Sequence, residues 1–203
     1  MISSFQDYKA YVKADQKAHK KENLSFKKKI KEYFFADYIW EFQKSLRRYE
    51  YLKNTHRGSF HKKILLLFAY KRYKKISIKL GFSIPPNVFG PGLRIAHYGT
   101  IVVNNNARIG ANCRIHICVN IGTSGGSLKA PVLGDNVYIA PGAKIFGDIV
   151  IANNTVIGAN AVVNRSFTEP NCVIAGNPAK VIKKLVGADI KKFIPHVEMQ
   201  ALS

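Results

Sequence analysis

The 203-residue chain has few cysteines, no long apolar run and a polar, charged stretch at residues 1–29. Cys113, Cys118 and Cys172 form an odd number without the spacing of a disulfide framework, so reduced thiols are expected. The longest apolar run, residues 64–70, is too short to cross a bilayer. Residues 1–29 are too polar and charged for a signal peptide. These absences together predict a cytoplasmic protein.

Acidic residues are also scarce, since 32 Lys and Arg stand against 12 Asp and Glu and give a net charge of +20. Residues 1–80 alone hold 21 basic and seven acidic residues. Such an excess suits nucleic acid, an anionic membrane face, or acidic glycans and nucleotide-linked substrates. The chain has no helix-turn-helix, zinc-finger or RNA-binding signature, so a nucleic-acid partner is not expected.

The segment 1–80 contains no proline and is rich in helix-forming side chains. It predicts a basic α-helical domain, 1–80, with helices at Phe5–Lys21, Ser25–Asn54 and Ser59–Leu80. The third helix is amphipathic with a dense basic face, and two interpretations stay open. Its lysines are either solvated while the helix packs on the next domain, or residues 59–80 contact an anionic membrane at the inner face.

Aliphatic residues recur every six positions in the second half of the chain. The positions are Val103, Ile109, Ile115, Ile121, Leu133, Ile139, Ile145, Ile151, Ile157 and Val163, often followed by Gly or Ala. Neither a helix nor an ordinary strand needs a period of six, whereas a solenoid with three flat faces does. The pattern predicts a left-handed parallel β-helix over residues 81–184, with about 18 residues per coil and a C-terminal tail, 185–203.

Several stretches of the solenoid resemble the hexapeptide-repeat acyltransferases, in particular the serine acetyltransferase branch. The matching words are LRIAHYGTIVVNNNARIG, VNIGTSGGS, LGDNVYIAPGAKIFGDIVIANNTVIGANAVV and IAGNPAKVI. Within that branch the chain most resembles members encoded with capsule, exopolysaccharide or lipopolysaccharide genes. The resemblance implies acetyl-CoA as co-substrate and a homotrimer with its sites at subunit boundaries.

Two histidines lie in the repeat, and the resemblance implies that His97, in the word AHYG, is the general base. A histidine suits this task because its pKa lies near neutrality. Three hexapeptides per coil predict that His97 points inward over Ile115, with Tyr98 over His116. His116 is predicted to bind the acceptor or relay a proton. Tyr98, Asn120 and Lys129 are the further candidates for binding the acceptor.

A column of small residues is the candidate site for coenzyme A. Its members, each one predicted coil after the last, are Gly122, Ala140, Gly158 and Gly176, with Gly142 and Ala159 beside them. The resemblance implies that the pantetheine arm lies in a groove between subunits, and that Lys180 and Lys183 meet its phosphates unless they belong to a solvated tail. This register assumes that TSGGSLKAPV stays in the coil, whereas its composition also suits an inserted arm.

The chain departs from the serine-specific enzymes at the acceptor site. It has Ser83 where they carry an early aspartate, Ala96 before the histidine, and only Lys129 as a charge in the loop GGSLKAPVLG. These departures predict O-acetylation of a sugar hydroxyl in capsule, exopolysaccharide or lipopolysaccharide assembly. The alternatives are a serine O-acetyltransferase of cysteine synthesis and a non-catalytic, membrane-proximal scaffold.

No metal is expected in this chain. A carbonic anhydrase of this fold needs three zinc-binding histidines, and the repeat supplies two. The histidines outside the repeat, His19, His56, His61 and His196, lack the spacing of metal ligands.

Overall fold

A computed structural model describes residues 1–22, 37–56, 58, 60–186 and 189–196 of the chain. Its helices are α1 (Phe5–Ala18), α2 (Tyr38–Thr55), α3 (Phe60–Leu80) and α4 (Asp189–Phe193). Helix α1 begins with a capping box, in which the Ser4 side chain accepts from the Asp7 amide and Asp7 accepts from the Ser4 amide. The predicted helix starts at Ser25 and Ser59 lie outside the described residues. Helix α1 ends three residues before the predicted Lys21.

In the described part of the chain, fourteen short strands form three sheets. Sheet 1 contains, in order, β1 (Phe82–Ser83), β3 (Ile101–Val103), β6 (Val119–Gly122), β9 (Lys144–Phe146) and β12 (Val162–Val163). Sheet 2 contains β4 (Arg108–Ile109), β7 (Val132–Leu133) and β10 (Val150–Ile151). Sheet 3 contains β2 (Arg94–Ile95), β5 (Arg114–Ile115), β8 (Tyr138–Ile139), β11 (Thr155–Ile157), β13 (Cys172–Gly176) and β14 (Ala179–Lys184).

The chain visits the three sheets in turn, and the neighbouring strands of successive coils pair in parallel. Only β14 runs antiparallel to its neighbour among the described strands, where it folds back on β13 and closes the last coil. The aliphatic positions of the six-residue period point inward and are buried, as Ile121, Ile145 and Ile157 are. The predicted three-sided parallel β-helix is therefore confirmed, and its core is the stack of these side chains.

The coils differ in length. Ile139 pairs with Ile157, which lies three hexapeptides later, as predicted. Ile115, however, pairs with Ile139, which lies four hexapeptides later, because residues 123–131 leave the coil as an arm. The arm crosses the corner between sheets 1 and 2, where the Asn106 side chain donates to the Leu128 carbonyl at 2.8 Å. The stretch TSGGSLKAPV therefore contains the inserted arm. The predicted stacking of residues 18 positions apart is wrong wherever this stretch lies between them.

The corner before sheet 3 is held by a ladder of asparagines. Asn112 donates to Asn136 at 3.0 Å, Asn136 to Asn154 at 2.8 Å, and Asn154 to Asn171 at 2.8 Å. All four have a positive φ of 57° or 58°, a conformation that asparagine tolerates better than other non-glycine residues. These four coils therefore turn at the same corner with the same residue, whereas the first coil turns there on Gly92.

The first coil has no coil before it, so side chains of the helices bind its free backbone groups. Arg47 of α2 donates to the carbonyls of Phe89 and Gly90 at 2.9 and 2.7 Å. Asp15 of α1 accepts from the amides of Gly92 and Leu93 at 2.8 and 2.9 Å. Tyr73 of α3 donates to the carbonyl of Ile84 at 2.6 Å, and Ser77 to that of Phe82. These bonds cover an edge that would otherwise expose unpaired strand groups.

A buried charge cluster fixes this contact. Arg47 pairs with Asp15 at 2.8 Å and with Glu50 at 3.0 Å, and all three side chains are only 1% exposed. The two carboxylates raise the pKa of the Arg47 guanidinium above its usual value in spite of burial. The helices and the solenoid share one hydrophobic core, which Phe42 and Leu46 join to Leu93. The division into units 1–80, 81–184 and 185–203 stays a prediction, with α3 ending at Leu80 and β14 at Lys184.

Candidate active site

The two histidines of the repeat lie in the corner where the chain leaves sheet 3 for sheet 1. Ile95 pairs with Ile115, and Ile101 pairs with Val119. In the first coil, Ile101 therefore follows Ile95 by six positions, whereas in the next coil Val119 follows Ile115 by only four. The two extra residues widen the segment 96–100, which contains His97.

His97 is exposed, so its predicted inward orientation over Ile115 is wrong. The physical reason is the two-residue insertion, which puts Ile95 at the inward position and turns the histidine outward. Tyr98 is 73% exposed and lies in the same insertion, rather than in strand register over His116. The insertion thus places an imidazole at the surface on a fixed corner, where a substrate can reach it.

His116 lies next to His97 in space but is buried, with 7% of its surface exposed. The centroids of the two rings are 5.8 Å apart, and His116 also contacts the ring of Tyr138 at 5.1 Å. Burial lowers the pKa of His116 to about 4, with smaller contributions from Arg114, His97 and Arg94. His116 is therefore a neutral imidazole at neutral pH, beside an exposed one.

A trough of small side chains begins at His116. The amide of His116 donates to the carbonyl of Ile139, that of Ala140 to Ile157, and that of Gly158 to Ile174. This register stacks His116, Ala140, Gly158 and Ala175 on successive coils, and Ala175 pairs with Lys180 of β14. At about 4.8 Å per strand, the four steps from His116 to Lys180 span about 19 Å. The trough has a histidine at one end and a cation at the other.

Two residues predicted for the small-residue column lie elsewhere. Gly122 belongs to sheet 1, where it pairs with Phe146, because the arm 123–131 adds a whole hexapeptide to its coil. Gly176 lies one position past the column, which Ala175 occupies, since the coil from Ile157 to its partner Ile174 is one residue short of three hexapeptides. Ala140 and Gly158 are stacked as predicted, and Gly142 and Ala159 lie at the corner that follows them.

The candidate acceptor residues are not all brought together. Asn120 is exposed on sheet 1, where it pairs with Val102 and Lys144. Lys129 lies in the arm at the opposite end of β6 from the histidines, and its amine bonds the Asp148 carboxylate at 2.6 Å. Within one chain, Lys129 is therefore apart from the histidine pair.

Sequence reasoning missed four residues in the surroundings of His116. Arg94 and Arg114 are strand partners on sheet 3, and the Arg114 guanidinium lies 5.5 Å from the ring centroid of Tyr138. The signal that could have identified the pair is the dipeptide Arg-Ile followed within two residues by a histidine, in LRIAH and CRIHI, since Arg108 is followed by Ile109 but by no such histidine. Phe193, in the C-terminal tail, packs on Tyr138, with 5.3 Å between the two ring centroids.

The remaining predictions concern thiols, metals and membrane spans. Cys113 and Cys172 are buried, Cys118 is exposed, and all three are free thiols. The described residues include no group of three or more His, Cys, Asp or Glu side chains suited to a metal ion. Among the helices that the structure describes, none is both long and apolar enough to cross a bilayer.

Comparisons with known proteins agree on the fold and on the type of relative. Residues 130–165 match the family model described as bacterial transferase hexapeptide (six repeats). A serine acetyltransferase of Mycobacterium tuberculosis is 38% identical over 108 residues, which cover 52% of this chain and 47% of that protein. The chain thus spans about half the length of the curated relatives it matches.

Solved structures are similar over most of the chain. Neisseria gonorrhoeae serine acetyltransferase has a TM-score of 0.69 at 27% identity, over 93% of this chain and 72% of that one. Soybean serine acetyltransferase complexed with serine has a TM-score of 0.67 at 26% identity, over 89% and 72%. These likenesses confirm the left-handed parallel β-helix with N-terminal helices.

The predicted sugar acceptor is wrong. The similar proteins are named serine acetyltransferases, which favours the alternative, serine. The expected closeness to transferases of capsule, exopolysaccharide or lipopolysaccharide assembly receives no support from these matches. The departures at Ser83, Ala96 and Lys129 therefore do not identify a sugar as acceptor.

Proposed function

We propose that the protein is an acetyl-CoA-dependent serine O-acetyltransferase of cysteine synthesis. The observation that carries this proposal is the pair of rings at His97 and His116, one exposed and one buried and neutral, 5.8 Å apart at one end of a small-residue trough. The similarity to serine acetyltransferases over about half the chain supports serine as the acceptor.

His97 is the proposed general base. Its imidazole takes the proton of the serine hydroxyl while the hydroxyl oxygen attacks the thioester carbonyl carbon. The carbon–sulfur bond of the resulting tetrahedral intermediate then breaks, and the coenzyme A thiolate leaves with the proton that the imidazolium returns. His116 does not compete for this proton, because its pKa of about 4 keeps it neutral. It is proposed to hold the acceptor at the correct distance from His97.

The trough is the proposed binding site for acetyl-CoA. Ala140 and Gly158 present no bulky side chain, so an extended pantetheine arm can approach the backbone there. Gly142, Ala159 and Gly176 lie beside this path and remain candidates. Lys180 lies at the far end and Lys183 further along the exposed strand β14, where both can meet phosphate oxygens.

The proposed assembly is a homotrimer with one site at each subunit boundary. Sheet 2 presents Val132 and Val150 outward with 45% and 47% of their surface exposed, which supports a partner on this face. Light scattering is expected to give about three times the chain mass of 22.7 kDa. A stable monomer that still turns over acetyl-CoA would contradict the shared groove.

The direct test of the activity is release of coenzyme A thiol with and without L-serine. We expect serine-dependent release at roughly 10 s⁻¹, the median for enzymes, and O-acetyl-L-serine as the product by mass spectrometry. The acceptor proposal fails if folded, trimeric protein releases no more thiol with L-serine than without it.

We also propose a peripheral contact between α3 and an anionic membrane, at the cytoplasmic face of the inner membrane. Phe60, Leu67 and Phe68 expose 64–72% of their surface in the first half of the helix. The helix carries seven Lys and Arg and no carboxylate. Apolar and basic groups together favour a lipid surface.

The membrane contact is tested by co-sedimentation with lipid vesicles. The protein is expected to sediment with phosphatidylserine vesicles but not with phosphatidylcholine vesicles, and Leu67→Glu should abolish this binding. Equal binding of the variant would refute the contact.

A further inference from the structure

Two arginines of sheet 3 lie side by side next to His116. Arg94 and Arg114 are strand partners on neighbouring coils, which are about 4.8 Å apart. Arg94 donates to the Ala18 carbonyl at 3.0 Å and Arg114 to the Phe193 carbonyl at 2.9 Å. In the part of the chain that the structure describes, neither guanidinium is paired with a carboxylate. Burial, with Arg114 as the second cause, lowers the pKa of Arg94. Among the residues that the structure describes, this half-buried pair of cations has no counter-ion.

The same region collects polar atoms without partners. Among the described residues, the buried side-chain nitrogens of Arg114 (Nε), His116 (Nε2) and His196 (Nδ1 and Nε2) have no hydrogen-bond partner. Both histidines lie within electrostatic reach of Arg94 and Arg114. Most buried polar groups in native proteins are paired, and leaving one unpaired is unfavourable. The concentration of such atoms around two unpaired cations indicates a place for an anion.

The region adjoins the proposed chemistry. Arg114 and His116 are two residues apart on one strand and one face, and both contact the ring of Tyr138, at 5.5 and 5.1 Å. The ring centroid of His97 lies 5.8 Å from that of His116. His116 thus has both Arg114 and His97 as neighbours, so an acceptor bound to Arg114 by its carboxylate would lie close to the proposed base.

We infer that Arg94 and Arg114 form a subsite for the carboxylate of the amino-acid acceptor. The inference rests on the proposed serine acetyltransferase function. The planar guanidinium fork matches a carboxylate, and it supplies charge-assisted hydrogen bonds. Lys129, the cation of the inserted arm, bonds Asp148 instead and lies at another corner. The arginine pair therefore supplies the cation that the loop does not.

The test compares L-serine with L-serinamide, which has the same hydroxyl but no carboxylate. For the wild type, kcat/KM is expected to be about 10- to 100-fold higher for L-serine. In Arg114→Gln and Arg94→Gln this preference should shrink toward unity, through a higher KM for L-serine, while the KM for acetyl-CoA is unchanged. A purely structural role would lower the activity on both acceptors alike.

The matched control is Arg108→Gln. Arg108 also precedes an inward isoleucine, but it lies exposed on sheet 2 and donates to the Asn105 and Ala107 carbonyls at 2.9 and 2.7 Å. This variant should keep the full preference for L-serine. If Arg114→Gln and Arg94→Gln keep it as well, the subsite is refuted while the serine activity stands.

A second arm does not depend on turnover. Glycine has the carboxylate but no hydroxyl, and its titration into wild-type protein should shift the ring resonances of His116 in NMR spectra. Arg114→Gln should show no such shift, whereas Arg108→Gln should. If glycine binds in this way and L-serine is not acetylated, the proposed function fails and the carboxylate subsite remains. If glycine leaves the His116 signals of the wild type unchanged, the subsite is refuted.

Discussion

At the corner where the chain enters sheet 3, four successive coils turn on Asn112, Asn136, Asn154 and Asn171, which hydrogen-bond one another. At the corner where it leaves sheet 3, the left-handed positions are instead occupied by Cys118, Gly142 and Asn160. This second corner also contains the two-residue insertion and the histidines. One corner repeats a single residue, while the other changes with every coil.

The difference separates stability from chemistry. Each asparagine of the ladder hydrogen-bonds the asparagine of a neighbouring coil. The entry corner, where the chain enters sheet 3, is therefore a continuous hydrogen-bonded column. At the exit corner, where the chain leaves sheet 3, the chain instead carries an exposed imidazole, a buried imidazole and a run of small residues. The scaffold is thus held from one side of sheet 3, and the other side is free to carry a site.

The largest expected effect comes from His97 at the exit corner. His97→Ala should lower kcat by about 10² to 10⁴, because the general base is lost, while acetyl-CoA binding is nearly unchanged. The side chain is exposed, so the melting temperature should stay within about 1 °C of the wild type. Thiol-release kinetics and thermal melting measure the two. Full turnover in His97→Ala, together with loss of activity in His116→Ala, would instead assign the general base to His116 and acceptor binding to His97.

The entry corner should respond in the opposite way. Asn136→Ala removes two ladder bonds and places alanine at a φ of +58°, which together should cost about 2–3 kcal/mol of unfolding free energy. Asn136→Gly also loses the bonds but avoids the steric penalty, so it should cost roughly 1 kcal/mol less. Both variants should keep the wild-type kcat at temperatures where they are folded.

A matched control is available at the exit corner. Asn160 has a φ of +55°, and its side chain makes no hydrogen bond within the described residues. Asn160→Gly should therefore change the unfolding free energy by less than about 0.5 kcal/mol. Urea unfolding of the three variants decides the matter, and equal losses at positions 136 and 160 would show that the ladder adds no stability.

His116 should give a smaller, mixed effect. His116→Ala is expected to raise the acceptor KM by roughly 10-fold, because the group that holds the acceptor beside His97 is lost. The side chain is 7% exposed, so the truncation should also lower the unfolding free energy by about 1–3 kcal/mol. A fall in kcat alone, with the acceptor KM unchanged, would argue against a binding role.

The period of six predicted the core well, since the inward aliphatic residues determine it, whereas the asparagine ladder of the entry corner was not predicted. The period could not reveal the arm at 123–131. The arm lengthens its coil by one whole repeat, so Ile121 and Leu133 stay in phase across it. An insertion equal to the period keeps the phase, and its only signs in the sequence are Ser127 at an aliphatic position and the composition of TSGGSLKAPV.

The insertion at 96–100 misled the prediction in another way. Counting one repeat back from Val103 gives His97, whereas the inward residue is Ile95, two positions earlier. The prediction still placed the two histidines close together, because they lie on adjacent coils at one corner in either register. The burial of His116 and its arginine neighbours depends on tail residues such as Phe193, which the periodicity does not reach.

The smallest expected effect is on the pH dependence of stability, and it too distinguishes the corners. Burial, followed by Arg114, His97 and Arg94, lowers the pKa of His116 from 6.5 to about 4 in the folded protein. Between these values the unfolded chain binds the proton and the folded protein does not, so stability is lost as the pH falls from about 6.5 to 4. His116→Gln should therefore show a shallower fall in melting temperature over this range than the wild type. Asn136→Gly should melt lower at every pH but with the wild-type slope, since the ladder does not titrate. If His116→Gln keeps the wild-type slope, His116 is not held neutral by its buried, cationic surroundings.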